Sequence, residues 1–327
     1  METSLEALPI WMNALMFLLG MAVIAKGADW FTDSSVSIAE VTHVPKAMIG
    51  ATIVSLATTF PEFSVSLTAA LSHQPQTAIG NAVGSTICNI GLILATVVLV
   101  RPMLIERGAV RAQGGFMIAA GAGIILLTLR GTLSRAGGLV LVAGLAAYVW
   151  FSVRGALSHR RSQRSQEPQA AAPKPLGREI RLFLLGAVCV VLGSVLLVKN
   201  AKILAEWLQV PELIIGLTLV AVGTSLPEYV TAVTATLKGH SELGVGNVIG
   251  ANILNLVWVL GASALVRPLH LAHQTRVLDL PVMLLIMVLL VVMIATGSRL
   301  RRWEGAVLLG VYVLYLTAMF ALFVGDA

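Results

Sequence analysis

The sequence predicts an all-α integral membrane protein: ten transmembrane helices arranged as two inverted five-helix repeats. Three observations lead there. Only 12% of the residues are charged, against roughly 25% in soluble domains, and 57% are hydrophobic. The apolar residues fall in ten runs, at roughly 9–30, 45–71, 75–100, 112–130, 136–153, 182–204, 211–237, 243–266, 278–297 and 303–323, each close to the ~20 residues that cross a bilayer as helix. Solid runs rather than alternation favour helices over barrel strands. Third, GATIVSLATTFPE at 50–62 returns as GLTLVAVGTSLPE at 216–228, and GNAVGSTICN at 80–89 returns as GNVIGANILN at 246–255, every matched pair 166 residues apart.

Taken in order, the N-terminus METSLEALPI has no basic segment, so the first run is expected to stay as helix one rather than be cleaved. Lys26 and Asp29, one turn apart near its end, are expected to pair or snorkel, and Asp33 and Glu40 to lie solvated in the loop that follows. Val44-Pro45 opens helix two as Val210-Pro211 opens helix seven. Arg101-Pro102 closes helix three as Arg267-Pro268 closes helix eight. The halves are therefore 1–153 and 182–327, joined by residues 154–181. An odd number of helices per half makes the second half enter the membrane with opposite orientation, the arrangement in which a transporter's substrate site lies at the repeat interface near the midplane.

The net charge of +6 does not point to nucleic acid, because residues 154–181 alone supply +5. With the N-terminus outside, the inside loops collect 15 basic residues against six outside. By the positive-inside rule both termini face outward and the central loop is cytoplasmic, with the chain in the cell (inner) membrane. That loop is polar and rich in Pro and Ala, which suits a flexible linker; a segment regulating the protein or binding anionic lipid is the other reading. Cys88 and Cys189 lie in apolar runs and read as packing residues, not a disulfide. The six histidines fall in loops or at helix ends, which argues against a histidine metal cage or proton relay.

The repeated stretches carry the chemistry. Pro61 and Pro227 sit near the middle of helices two and seven, where each frees carbonyls around Ala57–Thr58 and Gly223–Thr224 from helical bonding. Those carbonyls, the hydroxyls of Thr58, Thr59, Thr224 and Ser225, and the carboxylates of Glu62 and Glu228 form an all-oxygen set of the kind Ca²⁺ and Na⁺ prefer. A carboxylate at mid-membrane is a functional-site candidate; the plainer reading is a glutamate lining a wet crevice or paired with a base, and the bases of the motif helices, Lys46 and Lys238, stand at their ends. On helices three and eight, Asn81, Ser85 and Asn89, and Asn247, Ala251 and Asn255, lie along one face. Small residues at Gly80 and Gly84, and at Gly246 and Gly250, would let these faces approach the glutamates. These amides either ligate ions or only join helices.

These motifs resemble the two alpha-repeats of the cation/calcium exchanger superfamily, especially its prokaryotic sodium/calcium antiporter branch. The second copy holds the family's Gly-Thr-Ser-Leu-Pro-Glu at Gly223–Glu228, while the first, Ala57–Glu62, keeps the hydroxyl pair and the Pro-Glu. The resemblance implies a secondary antiporter, not an enzyme, that exchanges Ca²⁺ for Na⁺ by alternating access. Glu62 and Glu228 would bind both ions, and Thr58, Thr59, Thr224, Ser225, Ser85, Asn89, Asn255 and the carbonyls of Ala57 and Gly223 would complete the sites. It implies no cofactor beyond the transported ions, a lipid bilayer as surroundings, no nucleic acid, and a monomer. Two departures bear on ion coupling: Asn255 stands where well-studied members carry aspartate, and Ala251 lacks the hydroxyl that Ser85 offers. The alternative is a cation/proton exchanger on the same scaffold, with Glu62 and Glu228 as proton and divalent sites. An intramembrane hydrolase finds no support, since neither His-Glu-x-x-His nor Gly-x-Ser-x-Gly occurs, and repeats built for alternating access argue against a channel.

Overall fold

Residues 9–104, 107–164, 175–209, 223–297 and 299–324 are described in the computed structural model. Helices dominate: α1 (Ile10–Thr42), α2 (Lys46–Thr58), α3 (Phe60–Leu71), α4 (Pro75–Val100), α5 (Arg107–Leu127), α6 (Arg135–Arg164), α7 (Leu176–Trp207), α8 (Leu226–Leu237), α9 (Ser241–Val266), α10 (Thr275–Thr296) and α11 (Arg302–Phe323). Among the described residues eight helices are long and apolar enough to cross a membrane, or nine if the bent pair α2–α3 is one span. The chain is a membrane protein. Of the ten expected spans, 211–237 lies partly outside the described residues, and its later part is α8.

Helix α1 corrects one expectation. It does not stop near residue 30 but runs to Thr42, so Asp33 and Glu40 stand on the helix, exposed, and not in a loop. Hydropathy ends where lipid contact ends, not where the helix ends. The polar residues beyond, Thr32, Ser34, Ser35 and Ser37, are buried against protein. Ser34 and Ser35 donate to the carbonyls of Trp30 and Phe31, each at 2.6 Å, so polar side chains are satisfied inside the helix itself. His43, in the left-handed region at φ 55°, and Pro45 end the helix.

Helices α1 and α7 pack along most of their length. A Cβ on Gly27 would fall 2.6 Å from the Cβ of Cys189, one on Gly186 2.6 Å from the Phe31 nitrogen, and one on Gly193 2.8 Å from the Ile24 nitrogen. Rising numbers on one helix meet falling numbers on the other, so the two are antiparallel, and four glycines (Gly20, Gly27, Gly186, Gly193) bring their backbones together. Gly186 and Gly193 lie 166 residues beyond Gly20 and Gly27.

Two short antiparallel ribbons tie the halves together. Strand β1 (Met103–Leu104) pairs with β4 (Arg299–Leu300), and β2 (Thr132–Leu133) with β3 (Leu269–His270). Arginines reinforce the cross-half contacts by capping helix C-termini, where carbonyls lack helical partners. Arg101 donates to the carbonyls of Thr236 (3.1 Å) and Leu237 (3.0 Å), Arg135 to that of Val266 (3.2 Å), and Arg302 to that of Val100 (3.3 Å). The core between these layers is apolar, built chiefly from α4, α9 and α10.

The ion pair expected between Lys26 and Asp29 does not form. Lys26 lies over the Trp30 ring at 5.4 Å, and Asp29 is taken by Lys238, 3.0 Å away, which also reaches Asp33 at 2.9 Å. The competing base comes from α8, a helix distant in sequence. Partial burial works against the Lys238 charge, but the bonds to Asp33 and Asp29 outweigh it and hold its pKa above the usual lysine value.

Candidate functional site

The predicted break in the second apolar run is present. Helices α2 and α3 meet at Thr59 with a 45° bend, and Pro61 lies in the first turn of α3. Proline suits a helix start because its missing N–H is one of the donors left free there. Thr59 donates its N–H to the Ser55 carbonyl and Phe63 to that of Thr59, at 2.9 and 3.0 Å; Pro61 has no N–H to offer Ala57. Helix α8 repeats the pattern, with Pro227 and Glu228 in its first turn. Gly223 and Thr224 are described before it, and residues 210–222 of the second motif lie outside the described residues.

Each glutamate therefore stands in the first turn of a short helix, near its positive end. Both are fully buried, at 0% exposure. The two motifs meet although they are 166 residues apart in sequence, because Ser225, three residues before Glu228, reaches Glu62. Ser225 donates its hydroxyl to Glu62 Oε1 at 3.2 Å, while Glu62 Oε2 and both oxygens of Glu228 have no hydrogen-bond partner among the described residues. Thr58 and Thr59 lie beside Glu228 but outside hydrogen-bond geometry. Buried anionic oxygens without donors are what a cation would satisfy.

The other predicted residues arrive in pairs that cross from one half to the other. Thr58 donates to Asn247 Oδ1 at 3.1 Å, the hydroxyls of Ser85 and Thr224 are 3.5 Å apart, and Asn89 Nδ2 donates to Asn252 Oδ1 at 3.0 Å. Thr59 and Asn255 are buried, and neither the Thr59 hydroxyl nor either polar atom of the Asn255 side chain has a partner among the described residues. Asn81 does not reach a carboxylate: its Nδ2 donates to the Glu62 carbonyl at 3.2 Å and to Ser66 Oγ at 2.9 Å, and so joins α4 to α3. Asn247 likewise holds Thr58 rather than a glutamate. Gly246 and Gly250 bring α9 onto α2, where a Cβ on Gly250 would meet Ala51 and the Ser55 hydroxyl.

Two features escaped the sequence reading. Helix α4 carries a π-helical turn at Asn89–Leu94 and α9 one at Asn255–Val259, so both begin on the equivalent asparagines. Such turns insert a residue into the helix and often mark functional sites. The Asn89 turn packs on α8, which bears Glu228, and the Asn255 turn packs on α3, which bears Glu62; Phe63 stacks on Trp258 there at 4.4 Å. Hydrophobic periodicity cannot distinguish a π turn from an α turn over five residues. The second is Asn252, which stands where the first repeat has Thr86, so the repeat comparison gave it no match.

Among the described residues no group of three or more His, Cys, Asp or Glu is assembled. The charge of the site rests on two carboxylates.

Comparison with known proteins agrees with this architecture. A family model described as sodium/calcium exchanger protein matches residues 12–154 and 179–321. The sodium/calcium exchanger MaX1 of Methanosarcina acetivorans is 31% identical over 347 residues, covering 95% of this chain and 99% of that protein. The inner membrane protein YrbG of Escherichia coli is 33% identical, covering 93% of this chain and 96% of that one. Among solved structures, the sodium-calcium exchanger NCX_Mj soaked with 10 mM Na⁺ and no Ca²⁺ superposes with a TM-score of 0.82 at 29% identity, covering 96% of this chain and all of that one.

Proposed function

Because the chain belongs to the sodium/calcium exchanger family, we propose that it is an antiporter that moves Ca²⁺ against Na⁺ by alternating access, binding both at the Glu62–Glu228 site. The single observation that carries this is that both carboxylates are fully buried where the two motifs meet through the Ser225–Glu62 bond, and three of their four oxygens lack a hydrogen-bond partner among the described residues. Two negative charges balance one Ca²⁺, and a dry, uncompensated dicarboxylate has no structural use that a pair of apolar residues would not serve better. Thr58, Thr59, Thr224, Ser225, Ser85, Asn89 and Asn255, with the carbonyls of Ala57 and Gly223, supply the remaining oxygens. Ions enter where helices are broken, since a chain break is the place at mid-membrane where carbonyls are free.

The scaffold in this reading is ten spans in two inverted halves, 1–153 and 182–327, with the seventh span passing through 211–237. Antiparallel packing of α1 on α7, at positions offset by 166 residues, supports it. So do the two cross-half ribbons, in which the link after α4 pairs with the link after α10, and the link after α5 with the link after α9. The two matched segments end and begin within the expected 154–181 linker, which is shorter than expected because α6 runs on to Arg164 and α7 begins at Leu176. The loop-charge excess places both termini outside and the linker in the cytoplasm of a cell with this protein in its inner membrane. In this reading the protein works as a monomer and uses no cofactor beyond the transported ions.

Reconstituted into liposomes, the protein is expected to take up ⁴⁵Ca²⁺ when an opposing Na⁺ gradient is imposed, and to stop when the gradient is dissipated. Uptake driven by a pH gradient with no Na⁺ present would replace Na⁺ by H⁺ as the coupling ion. Absence of any Ca²⁺ movement would overturn the exchanger reading.

A further inference from the structure

Resting on the cation site proposed above, we infer that Asn252 is a positioning residue, setting the direction in which Asn89 presents its amide oxygen to the ion. A thioether sulfur accepts hydrogen bonds and cannot donate them. Asn252 directs Nδ2 at the Met117 sulfur, 3.9 Å away on α5, and this leaves its Oδ1 facing the other way. That oxygen accepts from Asn89 Nδ2 at 3.0 Å. With its N–H₂ group so committed, Asn89 turns its Oδ1 away from Asn252, and this oxygen is buried without a partner among the described residues. All three side chains are fully buried, so no water competes for the arrangement.

The order Met117, Asn252, Asn89 is thus a relay of polarity from an acceptor-only sulfur to a free oxygen. An amide rotated by half a turn would present N–H dipoles to the cation instead and repel it. Nothing equivalent exists in the first repeat. Thr86 occupies the matching position, and its hydroxyl donates to the Ala82 carbonyl of its own helix at 2.8 Å. Asn255 is likewise held by no partner among the described residues. The effect of Asn252 is therefore confined to Asn89, one ligand of one half, and is delivered across the boundary between halves.

The test is the apparent KM for Ca²⁺ in Na⁺-driven ⁴⁵Ca²⁺ uptake by proteoliposomes, with Vmax measured alongside. Asn252→Leu is expected to raise KM about tenfold, in keeping with loss of a bond to a charged group, while Vmax stays within about twofold. In an Asn89→Ala background the same substitution is expected to change KM no further. Unchanged KM in Asn252→Leu, or an effect that multiplies with that of Asn89→Ala, overturns the relay. Should Asn252→Leu fail to reach the membrane, Met117→Leu removes the sulfur acceptor at nearly constant volume. Met117→Leu is expected to raise KM about threefold in the wild-type background and not with Asn89→Ala; no rise overturns the relay. Wild-type protein that moves no Ca²⁺ refutes the exchanger reading instead, and the two failures are distinct.

Discussion

Replacing Glu228 by Gln gives the sharpest check on the site, because it separates ion binding from transport. Glu228 is fully buried, and neither oxygen has a hydrogen-bond partner among the described residues. Wild-type protein saturated with Ca²⁺ at a hundred times its Kd gains about 2.7 kcal/mol of stability by mass action. At roughly 2–4 °C per kcal/mol for a larger domain, that is a rise of about 5–10 °C in thermal midpoint. Glutamine keeps the shape and one oxygen but removes the charge. For a divalent ion about 2.4 Å away at an effective dielectric of about 20, the lost Coulomb attraction is about 14 kcal/mol, several times what the Ca²⁺-dependent rise requires. The Ca²⁺-dependent rise is therefore expected to vanish in Glu228→Gln, and Na⁺-driven uptake with it. Without Ca²⁺ the variant is expected to melt no lower than wild type, because a buried carboxyl without hydrogen-bond partners among the described residues has been replaced by a neutral side chain of the same shape. Intrinsic tryptophan fluorescence of purified protein, with and without Ca²⁺, reads all four midpoints. A Glu228→Gln protein that retains the full Ca²⁺ shift would remove this residue from the site.

Three further expectations follow from other parts of the molecule. Gly250→Val places a branched side chain where even a Cβ would lie 2.5 Å from Ala51 Cα and the Ser55 hydroxyl, so folded protein recovered from membranes should fall severalfold; normal yield would show that α9 and α2 can separate. Lys238→Gln breaks the links to Asp29 and Asp33, but these carboxylates are 46% and 66% exposed, so the loss is expected to stay below about 1 kcal/mol and to shrink in high salt. Since the Lys238 pKa is held above that of free lysine, its stabilisation is complete below the unfolded value and is lost only as pH rises through the higher folded one. The difference in midpoint between wild type and Lys238→Gln should therefore be constant from pH 6 to about 9, and a difference that fades across that range would refute the sign. Asn255→Asp adds a third carboxylate to a site with two, and is expected to change the Na⁺ or pH dependence of uptake; identical profiles would show that position 255 is not a ligand.

Much of the fold and of the site was legible in the sequence because its signals are local or repeated. A proline inside an apolar run predicts a break wherever it occurs, and the 45° bend at Thr59 lies two residues before Pro61. A carboxylate in such a run must be accounted for wherever it points, and both glutamates are buried together. Where the reading failed, the cause lay in neighbours that the sequence does not order. Lys26 and Asp29, one turn apart, are expected to pair or snorkel, but the base that pairs with Asp29 is Lys238. Helix α1 was cut short at residue 30 because hydropathy reports lipid contact, and its last third is covered by protein.

By itself the sequence determined that this chain lies in a membrane, that its two halves repeat, and that each half carries the repeated Pro-Glu within an apolar run. Each of these follows from composition, periodicity or backbone chemistry, which act within a few turns of one helix. Only the tertiary structure decided which side chain faces which. Ser225 binds Glu62 rather than its own neighbour Glu228, Thr58 binds Asn247, and Asn89 donates to Asn252. Hydrogen bonds are directional over about 3 Å, and only the packing of one half on the other brings those donors and acceptors within that distance.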